Sequence, residues 1–213
     1  SLAPLLALVG AGGPGSDATA VLSPYHVELL GHSLAVGVLT AALATLLGVP
    51  VACALRDARG RWRAGLTLGV ALPLVVPSFV SAVAWIEVLN GGGGPPYSAH
   101  GILTSLGLGE PVVGALEASW VLALSGYPCV TAAAFAALTR RSSALEEDAL
   151  MAAEAGVVAR VLHWPQTAAS ALLGAGLVFL LALNDFSVTD LFQCATYPRA
   201  VFMEFRLSGE AGS

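Results

Sequence analysis

Acidic residues are few in this chain, and the places where they gather are where chemistry could happen. Glu146, Glu147, Asp148 and Glu154 share one stretch, Ser142 to Pro165, lying between two long apolar runs. Asn184, Asp185 and Asp190 form a second group inside LALNDFSVTDLFQ, in or just beyond an apolar zone. Carboxylates can serve as acids, bases or ligands, but an enzyme needs such groups clustered with a nucleophile or electrophile. His26, His32, His100 and His163 are dispersed, with no nucleophile–base or metal-ligand spacing, and the isolated imidazoles of His26 and His32 suit capping or interfacial roles better than metal binding. Cys53, Cys129 and Cys194 lie in or beside apolar stretches without metal or pairing spacing, as expected of free buried thiols. All nine basic residues are arginine, so no phosphate-binding loop ending in Gly-Lys-Ser/Thr is present.

The first acidic group reads as a helix start. Ser143 and Glu146 have the spacing of a capping box. Glu146, Glu147 and Asp148 then occupy the first turn, where the helix dipole favours negative charge by about 0.3 to 1 kcal/mol each. Leu145, Ala149, Ala152, Ala153 and Gly156 recur at three- and four-residue spacing and give one small, mostly apolar face. Gly156 can close the helix, and Val157 to Trp164 can form a second amphipathic turn before Pro165. Such a segment either is a solvated surface helix or offers its small face to another body.

What must position these groups is a membrane bundle. The 213-residue chain is 56% hydrophobic and 11% charged, with a mean hydropathy of +0.80, far more apolar than a soluble domain. SLAPLLALV is too short to span, and Ala11 to Tyr25 reads as an exposed loop. Spans are predicted at about 29–55, 64–88, 112–139 and 166–192, giving an all-α polytopic bundle in one domain. Pro73 and Pro77 should kink or break the second span. Asn90 to Pro111, containing GGGGPPY, reads as a long flexible outer loop. Gly174, Gly176 and their neighbouring alanines suit close packing of the fourth span.

Charge sets the orientation. Arg56, Arg59, Arg61 and Arg63 follow the first span, and Arg140, Arg141 and Arg160 follow the third. The excess of arginine in these two links assigns them, and segment 142–165, to the cytoplasm. Glu117 then lies near the outer end of the third span. Asn184, Asp185 and Asp190 lie toward the outer end of the fourth, where an ionisable group either faces a water-filled path or caps and solvates a helix end.

In this order of features the chain resembles the membrane-spanning permease subunit of a bacterial ATP-binding-cassette importer that depends on an external binding protein. Segment 142–165 is similar to that family's Glu-Ala-Ala loop: Glu146 and Glu147 open it, Ala149, Ala152 and Ala153 supply the small residues, and Pro165 closes it. Asp148 stands where alanine is usual, Gly156 comes later than the usual glycine, and Trp164 replaces the leucine before Pro165. The arginine link, VALPLVVPSFVSAVAWIEVL, SGYPCVTAAAFAAL and LVFLLALNDFSVTDLFQCATYPRAVFMEF resemble the iron(III)-type permeases, usually built from two such halves.

The resemblance implies a type I importer permease fold, here incomplete at both ends and corresponding to an N-terminal half. It implies a multi-pass protein of the bacterial inner membrane, not itself an enzyme and without a cofactor of its own. ATP would be hydrolysed by a cytoplasmic ATPase dimer docked on loop 142–165. Further partners would be a periplasmic or extracellular binding protein and a second permease half or copy, with no nucleic acid involved. The expected solute is iron(III) or a related metal. Thiamine, a polyamine or an oxyanion are alternatives, and an ion-coupled secondary transporter is the rival mechanism. Asn184, Asp185 and Asp190 are the candidates for the translocation path.

Overall fold

The structure, a computed structural model, describes residues 24–90, 98–139, 151, 164–194 and 196–198. Glu146, Glu147, Ala149, Ala152, Ala153 and Gly156 lie outside the described residues. All regular structure among the described residues is helical: α1 (Pro24–Asp57), α2 (Gly60–Val75), α3 (Ser78–Asn90), α4 (Ala99–Ser105), α5 (Glu110–Thr139), α6 (Trp164–Asn184) and α7 (Ser187–Leu191).

Three of these, α1, α5 and α6, are individually long and apolar enough to cross a bilayer. Their apolar surface is turned outward to a degree no soluble core would tolerate: Leu46 on α1 is 69% exposed and Leu173 on α6 77%. Lipid covers such side chains in a membrane, so helix contacts there rest on close packing and polar links.

The central element is α5, the most buried helix, against which α1, α6, α2 and α3 all pack. Two glycines explain how closely α1 and α6 approach it. A Cβ on Gly48 of α1 would stand 2.9 Å from the Val130 side chain, and one on Gly174 of α6 would stand 2.8 Å from the Val130 Cα. Both helices therefore close on α5 at one level, near Val130. Hydroxyls stitch the same contacts. Thr131 Oγ1 lies 3.2 Å from the Gly48 carbonyl and Ser119 Oγ lies 3.4 Å from the Val36 carbonyl. Gly176, predicted alongside Gly174 as a packing residue, meets nothing within 4 Å among the described residues.

The second predicted span departs most from a straight helix. It is two helices, α2 and α3, meeting at a bend of 101°. Pro73 sits inside α2 without ending it, whereas the chain turns at Val76 and Pro77, where Val76 leaves helical conformation at φ −85°, ψ 122°. A residue before proline is driven out of the α region by the proline ring. That steric rule puts the break at Pro77.

Two further boundaries differ from the sequence reading. The predicted fourth span, 166–192, ends as a helix at Asn184, turns through Asp185 and Phe186, and resumes as α7. Pro165 lies in the first turn of α6, where a missing backbone N–H costs nothing. The outer loop predicted as wholly flexible contains α4, capped by the Ser98 hydroxyl accepting from the Gly101 N–H at 3.0 Å. Of the three cysteines expected to be buried, Cys194 is buried, Cys129 partly so and Cys53 exposed.

Candidate functional site: a carboxylate clasp between two interrupted helices

Both interruptions of the membrane helices meet at one residue. Asp185 follows the last residue of α6, and its two carboxylate oxygens have separate tasks. Oδ1 accepts from the Val188 N–H at 3.0 Å, which starts α7. Oδ2 accepts from the Ser78 hydroxyl at 2.7 Å, reaching the first residue of α3 beyond the Pro77 break. A charged acceptor makes this hydrogen bond stronger than a neutral pair.

Beside the clasp lies a cavity of about 210 Å³ whose polar wall is Thr40, Ser78, Ser125 and Asp185, with Gly126 and Val178 among its apolar contacts. Ser125 directs its hydroxyl to the Val121 carbonyl at 3.2 Å. Thr40 Oγ1 is buried and has no hydrogen-bond partner among the described residues. A buried unpaired hydroxyl costs about 1 to 3 kcal/mol. Non-helical backbone at membrane depth is tolerated where it is buried in protein or lines a water-filled cavity. Ser78 and Asp185, one residue at each break, line this cavity.

Of the three residues expected on a path, only Asp185 borders this cavity. Asn184 is exposed and turns its amide back to the Leu180 carbonyl at 2.8 Å, capping α6. Asp190 is exposed on α7, whose carbonyl accepts from the Gln193 N–H at 3.0 Å. Ser78, Thr40 and Ser125 were not singled out by sequence reasoning. For Ser78 a signal existed, since it directly follows the helix-breaking Pro77.

At the end of the bundle away from the arginines, a second polar group forms. Glu117, 5% exposed on α5, lies 3.0 Å from His100 Nδ1, and Glu110 lies 3.2 Å from His100 Nε2. This trio pins α4 onto α5 and borders a cavity of about 430 Å³. Sequence reading counted His100 among dispersed histidines because its partners lie on another helix. No group of three or more His, Cys, Asp or Glu able to hold a metal ion occurs among the described residues.

The first arginine-bearing link lies at the same end of the bundle as the C-terminal part of α5. Arg63, at the start of α2, has its guanidinium 5.6 Å from the centroid of the Phe135 ring, near the end of α5. Chain direction thus agrees with the charge pattern.

No family model matches the chain. A curated protein of Haloferax volcanii, described as a probable molybdenum ABC transporter permease protein, is 31% identical over 212 residues, covering 97% of this chain and 73% of that protein. The relative is described by molybdenum, so the comparison supports the permease reading and lends nothing to the iron(III) type. With an all-helical bundle, membrane-length helices and a likeness that runs almost end to end, the chain belongs to the ABC transporter permease proteins, multi-pass membrane subunits of transporters.

Proposed function

We propose that the chain is the permease subunit of an ATP-driven importer for a tetrahedral oxyanion, with molybdate as the first candidate. The likeness to the Haloferax volcanii permease carries this reading, because it runs over 97% of this chain. Iron(III) is the weaker candidate. The site chemistry also bears on the choice: both Asp185 oxygens are already occupied by donors, and a carboxylate repels an oxyanion. Asp185 therefore fixes the walls of the path rather than attracting the solute. Thr40 and Ser125 supply uncharged polar groups beside it.

In this reading ATP is bound and hydrolysed by a separate cytoplasmic ATPase pair. Loop 142–165 docks there through Glu146, Glu147 and the small face of Ala149, Ala152, Ala153 and Gly156, and Pro165 joins the loop to α6. A second permease copy or half completes the path, and an external binding protein selects the solute.

The test is uptake in proteoliposomes holding this chain with the ATPase and binding protein encoded beside it. ATP-dependent entry of radiolabelled molybdate, competed by tungstate and not by ferric citrate, is expected. Ferric uptake without molybdate uptake would return the assignment to iron. Uptake driven by a proton or sodium gradient without ATP would favour a secondary transporter.

A further inference from the structure

Away from the clasp, the arginine end of the bundle carries a groove of about 370 Å³ between α2 and α5. On α2 it runs from Arg63 to Leu74, and on α5 from Phe135 back to Pro128. None of the α2 residues is buried within the described structure, so this helix leaves the groove open along its length. The rise from Arg63 to Leu74 is about 16 Å at 1.5 Å per residue. That is about one leaflet of a 30 Å hydrocarbon core.

The groove is charged at one end only, at Arg63. Arg63 closes it at the level of Phe135, with Arg61 and the 75%-exposed Trp62 alongside. Tryptophan and arginine beside a helix end mark the headgroup level of a bilayer. Below them the groove is lined chiefly by apolar side chains, among them Val70 and Leu74.

We propose that this groove binds one anionic phospholipid, with an acyl chain lying along α2 and the phosphate held by Arg63. The occupant must carry one negative head and one apolar tail of leaflet length, which is the chemistry of such a lipid. A second copy of this chain fits less well. Related by a twofold axis along the membrane normal, it would bring its own arginine link to the same level, setting like charges together.

Native mass spectrometry of the purified chain in detergent, with phosphatidylglycerol or phosphatidylcholine added, tests the site. One phosphatidylglycerol should be retained with about fivefold preference, the fold-change given by about 1 kcal/mol for one basic residue at an anionic surface. Arg63→Gln should bring that preference close to unity. Ala132→Trp, from an exposed groove position on α5, should remove retention of both lipids. Equal retention of the two lipids by the unaltered chain would overturn the proposal, as would undiminished phosphatidylglycerol binding in both variants. A dimer lost on Ala132→Trp with lipid retention unaltered would give the groove to a second copy instead.

Discussion

At the scale of single residues, the Asp185 carboxylate is a structural tie between the two helix breaks. Its partners are a hydroxyl 107 positions earlier in the chain and a backbone N–H three positions later. Ser78→Ala should therefore destabilise the folded chain by about 1 kcal/mol, and Asp185→Ala by about 2 to 3 kcal/mol, because it leaves two donors unpaired where Ser78→Ala leaves a single acceptor. Denaturant unfolding in detergent measures both, and the double variant should be less destabilised than the sum. Strict additivity would mean that the two side chains do not meet in solution. In uptake assays Asp185→Asn should be milder than Asp185→Ala, since its amide oxygen can still accept from Val188. An attractive role toward a cationic solute predicts the reverse emphasis, with charge removal alone abolishing uptake.

At the scale of elements, close approach decides which positions tolerate change. Gly174→Leu places a side chain against the Val130 backbone and should cost about 1 to 3 kcal/mol or more, as overpacking does. Gly176→Leu, two residues along the same helix, meets open space among the described residues and should leave the melting temperature nearly unaltered. Equal effects at the two positions would contradict the α5–α6 contact. The pair also marks the limit of sequence reading. Composition flagged both glycines as packing residues, yet helical geometry turns Gly174 toward α5 and Gly176 away from it. The proline-bearing span behaves in the same way: Pro73 and Pro77 each qualify as breakers, but the chain turns at Pro77, where the Asp185 clasp holds the far side of the bend. Trp85 and Trp120, edge to face with centroids 6.1 Å apart, hold α3 against α5 beyond that bend.

For the whole molecule, the proposed function requires that an ATPase docked at one end of α6 act on the helix break at its other end. In the proposed coupling, loop 142–165 pushes on α6 through Pro165, and α6 ends at the clasp, so displacement of α6 along its length would act directly on the Ser78–Asp185 contact. Ala152→Arg should then leave the assembled ATPase hydrolysing ATP while uptake falls at least tenfold, read as the ratio of solute moved to phosphate released. Normal transport by a correctly inserted Ala152→Arg protein would remove the loop from the coupling role, and protease or label access to residues 142–165 from the outer face would do so as well.

The sequence by itself determined that this is a membrane bundle and which family it resembles, and its arginines suggested an orientation. Those properties follow from local composition: apolar runs long enough to span, seven of nine arginines in two of the links, and an acidic segment with capping-box spacing between two spans. Only the tertiary structure decided which polar residues act together. Ser78 joins Asp185, Thr40 and Ser125 border the same cavity, and His100 meets Glu117 and Glu110, all through contacts between different helices. Side-chain meetings across helices depend on rotation, tilt and crossing level, which the bundle fixes collectively. No spacing within one helix encodes them.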